Sequence, residues 1–81
     1  MDTRVALIAI IVEQGASVQG INTILHEHAD RIIGRMGVPY KAKNVNIISI
    51  AIDAPQDEIN DIAGKIGRLA GVSAKTVYAA V

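Results

Sequence analysis

From Val5 to Val12 the chain reads V-A-L-I-A-I-I-V, so an extended backbone puts Val5, Leu7, Ala9 and Ile11 on one side and Ala6, Ile8, Ile10 and Val12 on the other. Neither side favours water, and strands apolar on both sides belong to sheets covered on both faces. The run ends at Glu13. Glu13-Gln14-Gly15-Ala16 predicts a turn, and Ser17 is placed to N-cap a helix reaching about His28. Within it Val18, Ile21, Ile24, Leu25 and His28 recur at spacings of three and four and form one apolar stripe. Asp30 to Val38 predicts a second strand, weakened by Gly34 and Gly37 and stopped by Pro39, with 39–44 as a hairpin connection. Val45 to Ile52 repeats the doubly apolar pattern. Asp53-Ala54-Pro55 then signals a helix start with proline at the first helical position, and Asp57 and Glu58 sit where the helix dipole favours acids. Ile59, Ile62, Ala63, Ile66 and Leu69 supply its stripe, Gly67 or Gly71 can stop it, and Val72 to Ala80 closes the chain as a strand.

The predicted order is β-α-β-β-α-β. Strand-helix-strand crossovers are right-handed in about 98% of cases, which puts both helices on one face of a four-stranded antiparallel sheet. The expected class is therefore α+β, a ferredoxin-like fold occupying 1–81 as one domain. Its other face is left bare, although monomers rarely expose contiguous apolar patches beyond roughly 300 to 600 Å². A second copy packed on this face, or joined along an edge strand, is the expected remedy.

Length and charge sharpen that expectation. A lone chain of 81 residues buries only about 60 to 65% of its unfolded surface. Eight basic residues balance eight acidic ones, so no net field draws the chain to nucleic acid or an anionic membrane. Tyr40 and Tyr78 are its only aromatics, too few for the stacking platforms of single-strand binders. The absence of cysteine excludes disulfides and thiolate chemistry and fits a cytoplasmic protein. The eight-residue apolar run near the amino terminus is too short to span a bilayer and lacks a convincing cleavage site, so it reads as a strand.

The set Ile33-Gly34-Arg35-Met36-Gly37-Val38-Pro39-Tyr40, Ile48-Ser49-Ile50, Gly64-Lys65-Ile66-Gly67, Gly71-Val72 and Lys75-Thr76, with Leu25-His26, resembles the small iron-only hydrogenase system regulator family. The resemblance runs over essentially the whole chain. It implies an ACT-like variant of the ferredoxin fold and a regulatory role, including control of transcription, linked to that hydrogenase system. It also implies effector binding at subunit boundaries near the loop after the first strand, here Glu13 to Ala16. Glycine there lets a ligand approach backbone N–H groups, and the following helix N-terminus favours an anion; equally, Gly15 can simply make the turn.

Arg31, Ile33 and Arg35 share a face of the second strand if its alternation is regular. Two guanidinium groups so placed can grip a carboxylate or phosphate, or they can pair with Asp30, Asp53 or Glu13, or blunt a strand edge. The candidate ligand-binding residues are thus Glu13, Gly15, Arg31 and Arg35. His26 and His28 lie about 200° apart on a helix, which disfavours joint metal chelation and makes His28 a hydrogen-bonded core or interface residue. Gly64-Lys65-Ile66-Gly67 falls in or at the end of a helix, so packing explains its glycines better than phosphate binding does. No serine, histidine and carboxylate combination has a catalytic context.

The expected function is a regulatory module without catalytic residues, metal or cofactor. It would be a homo-oligomer, dimer or tetramer, sensing a small molecule at a subunit boundary or passing a signal to a protein partner. The alternatives are direct DNA binding, which lacks a basic stripe or helix-turn-helix segment, and a purely structural oligomerisation domain.

Overall fold

A computed structural model describes residues 2–80. Strands β1 (Arg4–Val12), β2 (Ile32–Tyr40), β3 (Val45–Ala54) and β4 (Val72–Tyr78) form one antiparallel sheet in the order β2-β3-β1-β4. Helices α1 (Ser17–Glu27) and α2 (Gln56–Gly67) pack together on one face, and Ala29–Arg31 and Lys41–Lys43 are 3-10 turns on either side of β2.

The doubly apolar strands have two different fates. Ala6, Ile8, Ile10 and Val12 of β1 and Ile48, Ile50, Ile52 and Ala54 of β3 are buried beneath Ile21 and Leu25 of α1 and Ile59, Ile62 and Ile66 of α2. Every buried side chain in this core is aliphatic, and none is polar or charged. The alternate residues Val5, Leu7, Ala9 and Ile11 face away from both helices and remain exposed.

Several boundaries differ from those expected. Ser17 is the first helical residue and caps nothing; its hydroxyl donates to the carbonyl of Ala70 at 2.6 Å, which ties the start of α1 to the α2–β4 loop. Pro55 is the N-cap of α2 and lies just outside the helix. Asp30 and Arg31 lie in the first 3-10 turn, so β2 begins later, at Ile32. Nor does Pro39 stop β2, which continues through Tyr40. β2 is an edge strand, and an edge tolerates a residue that donates no ladder hydrogen bond.

The alternation of β2 also slips. Ile32 pairs with Ile52 and Gly34 with Ala51, leaving Ile33 as an extra residue in a bulge. After the bulge Arg35 lies opposite the buried Ile50, on the helix side, while Gly34, Met36, Val38 and Tyr40 take the bare side. Arg31, Ile33 and Arg35 therefore do not form one row, because a turn removes the first from the strand and the bulge reverses the register of the last.

Candidate interaction face and polar groove

Three cross-strand rows describe the bare face. Gly34, Ala51, Leu7 and Val77 lie side by side; Met36, Ser49, Ala9 and Lys75 form the next row; Val38, Ile47, Ile11 and Ser73 the third. Asp53 and Lys75 are the charged residues on it. Met36 is 67% exposed and Val77 65%, while Leu7, Ile11, Ile47 and Val38 each expose 40 to 50%. Two shallow depressions interrupt the face. One of about 340 Å³ is lined by Val5, Leu7, Ala51 and Val77 together with Ala6, Tyr78 and Ala79. The other, of about 220 Å³, lies over Gly34, Ser49 and Ala51 between Leu7, Met36 and Arg35. This is the bare apolar sheet that the strand pattern predicts.

A polar groove of about 280 Å³ opens on the helix side, between the second half of α1 and the edge strand β2. Leu25, Ala29 and Ile32 line its apolar part, and Asn22, His26 and Arg35 supply polar groups. An Arg35 Nη2–H donates to Asn22 Oδ1 at 3.0 Å, so the guanidinium is held over the groove. Asn22 and His26 face it together because residues four apart stack along one side of a helix. That spacing is visible in the sequence. The bulge that turns Arg35 toward them has only the weak signal of Gly34.

His28 has different surroundings from His26. Its Nδ1 lies 2.8 Å from Glu58 Oε2, and Glu58 Oε1 lies 3.3 Å from Arg31 Nε. Glu58, in the first turn of α2, thus joins the end of α1 to the turn before β2. Arg31 is paired here and not with Asp30, Asp53 or Glu13. Among the described residues no three His, Cys, Asp or Glu side chains come together as a metal-ligand set.

The loop after β1 packs against the loop before β4. The Glu13 amide donates to the carbonyl of Gly71 at 2.7 Å, and the Ser17 and Val18 amides to the carbonyls of Gln14 and Gly15. Those N–H groups are already occupied by the fold. Gly15 keeps an ordinary negative φ, and a Cβ there would meet nothing within 4 Å. The glycine this corner requires is Gly71: its φ is +70°, and a Cβ would fall 2.7 Å from Gln14 Cγ. The four sequence candidates therefore occupy three places, with Glu13 and Gly15 at the start of α1, Arg31 on Glu58, and Arg35 in the groove.

A split βαβ sheet with both helices on one face, an apolar outer face and no buried polar side chain among the described residues defines a small ferredoxin-like domain. Residues 4–76 match the TM1266-like model, described as iron-only hydrogenase system regulator, and the chain belongs to that family. Among solved structures it is similar to the uncharacterized protein TM1266 from Thermotoga maritima, at 29% identity and a TM-score of 0.90, over 95% of this chain and 98% of the other. The C-terminal domain of the MgtC protein from Mycobacterium tuberculosis shares the fold at 6% identity and a TM-score of 0.76, over 94% of this chain and 87% of the other. A nitrogen regulatory PII-like protein, CPII from Thiomonas intermedia K12, solved with ADP, AMP and bicarbonate, shares it at 15% identity and a TM-score of 0.53, over 98% and 99%. No curated protein sequence matches the chain. No helix among the described residues is long and apolar enough to cross a membrane.

Proposed function

We propose that this chain is a non-catalytic regulatory module of the iron-only hydrogenase system that works as a homo-oligomer, with subunits joined through the bare sheet face. The observation that carries this reading is that face itself, an apolar surface crossing all four strands whose charged residues are Asp53 near one end of β3 and Lys75 midway along the edge strand β4. Four strands at about 4.8 Å spacing and some seven shared residues at about 3.3 Å give roughly 440 Å² of projected area per copy, or about 900 Å² for a pair. Accessible area exceeds projected area, so such a pair reaches the approximately 1,000 Å² that stable interfaces need. Sedimentation equilibrium from nanomolar to micromolar concentration tests it. A dimer or tetramer is expected, and a monomer at tens of micromolar would overturn the proposal.

The sensing part of this function is supported by the groove. Arg35, Asn22 and His26 offer hydrogen-bond donors beside the apolar Leu25 and Ile32, a combination that suits a small anion with an aliphatic portion. At about 280 Å³ the groove lies at the small end of ligand sites. A ligand bound there changes regulation only by favouring one arrangement of α1 and β2 over another. Thermal unfolding across a panel of amino acids, short carboxylates, nucleotides and metal ions is the test; a binder raises the midpoint, and an Arg35→Gln variant loses that rise. A flat response across the panel would leave association with protein partners as the regulatory route. Direct contact with DNA is not part of the proposal, since zero net charge and dispersed cations supply no phosphate-tracking surface.

A further inference from the structure

The polar groups of the groove between α1 and β2 are one-sided in their hydrogen-bond chemistry. Arginine can only donate, so the 3.0 Å contact from Arg35 Nη2 requires Asn22 to receive it through Oδ1. What Asn22 has left to offer is its NH2 group, a donor. His26, one turn further along α1, adds a ring N–H in its neutral form and a second when protonated. No ion pair takes up the Arg35 guanidinium among the described residues, whereas Arg31 is held by Glu58. One fixed positive charge and the donors around it therefore converge on a space of about 280 Å³ whose apolar wall is Leu25, Ala29 and Ile32. Acceptors are lacking there. None of the lining residues is acidic, and Glu27 and Asp30, though adjacent in the chain to lining residues, do not line the groove. The main-chain carbonyls at the end of α1 are also engaged: Leu25 accepts from the His28 amide, His28 from the Arg31 amide and Ala29 from the Ile32 amide.

We infer that this groove recognises an aliphatic monocarboxylate that carries no α-amino group, and discriminates against the amino acid of the same carbon skeleton. This rests on the sensing role proposed above for the groove and names its ligand class. An ionised carboxylate only accepts hydrogen bonds, and it matches the fork of a guanidinium. Its hydrocarbon portion is left to cover Leu25 and Ile32. The α-ammonium of an amino acid is attached next to the carboxylate, so it would be carried against the Arg35 guanidinium with no acceptor to meet it. A phosphate dianion also fits poorly. The groove runs along the second half of α1, where the amides are spent within the helix and the macrodipole presents its negative end. A single guanidinium balances one negative charge, not two.

4-Methylpentanoate is leucine without its amino group, which makes the two a matched pair of probes. Each is titrated into isotopically labelled protein at constant ionic strength and followed by NMR. 4-Methylpentanoate is expected to shift the signals of Asn22, His26 and Arg35 with a dissociation constant of about 1 to 10 mM, the range open to so small a ligand. Leucine, and the uncharged 4-methylpentanamide, are expected to bind at least about tenfold more weakly. Arg35→Gln changes an exposed side chain and is expected to abolish the shifts, while its own spectrum reports that the fold is intact. Asn22→Ala, at a second exposed position, is expected to weaken binding about threefold or more. Leucine, the amide or inorganic phosphate binding as tightly as 4-methylpentanoate overturns the ligand class and leaves a sensing groove standing. A groove that answers to a nucleotide or a metal ion but not to 4-methylpentanoate does the same. Full affinity in both variants, or shifts confined to bare-face residues such as Leu7 and Val77, overturns the assignment to this groove. Silence of the groove signals toward every probe overturns the inference and the sensing role together.

Discussion

Replacing Met36 by threonine separates assembly from folding, because this side chain has little to do in the subunit and, in the proposed homo-oligomer, would be covered by a second copy. Met36 sits on the edge strand β2 opposite Ser49 and is 67% exposed. Complete burial of a methionine is worth about 1.5 to 3 kcal/mol, so covering the exposed two-thirds contributes about 1 to 2 kcal/mol per copy. Symmetry counts the change twice, and threonine keeps a methyl group, which places the net loss near 2 kcal/mol, about thirtyfold in the dissociation constant. Threonine suits strands, and only a third of the methionine is covered within the subunit, so folding stability should change by less than about 1 kcal/mol. Sedimentation equilibrium over a concentration series gives the first quantity, and urea unfolding at a concentration below dissociation gives the second. A variant that dimerises within threefold of wild type would place Met36 outside the interface and refute the reasoning. A variant that loses several kcal/mol of folding stability would show that the face serves the fold and not an assembly.

Three further substitutions probe the subunit itself. Ile62→Ala empties a fully buried position beneath the sheet and should cost about 2 to 5 kcal/mol in urea or thermal unfolding; a loss under 1 kcal/mol would mean the core collapses onto the gap. Glu58→Ala removes the carboxylate shared by His28 and Arg31 and should cost about 1 to 2 kcal/mol. Hydrogen exchange would report the loss as faster exchange at the end of α1 and in the 29–31 turn, and unchanged exchange there would contradict it. Gly71→Ala imposes a side chain at φ +70° and only 2.7 Å from Gln14 Cγ, so at least about 1 to 3 kcal/mol should be lost. An unshifted melting temperature would show that the 13–16 and 68–71 loops move apart freely.

Much of this architecture is legible along the chain. Alternating apolar runs in β1 and β3, three-and-four spacing in both helices, the proline before α2 and the acids in its first turn are local signals, and each element formed about where its own residues required. The misplaced features share one cause, namely competition from groups distant in sequence. Ser17 has the right chemistry to cap α1 but finds the Ala70 carbonyl. Pro39 carries a strand-ending signal that lapses because β2 lies at an edge. Arg31 and Arg35 look like a matched pair until a turn and a bulge send one to Glu58 and the other to Asn22. The groove was less legible still. His26 and Asn22 have the spacing of one helix face, but nothing local says that β2 will present an arginine to them.

The sequence by itself determined that this chain makes four strands and two helices and owns more apolar sheet than two short helices can cover, because both follow from side-chain periodicity and the geometry of strands. Only the tertiary structure decided which apolar residues stay uncovered, and how large and small ones are arrayed across them. Cross-strand register sets those neighbours, and it depends on pairing between segments that lie tens of residues apart in the chain.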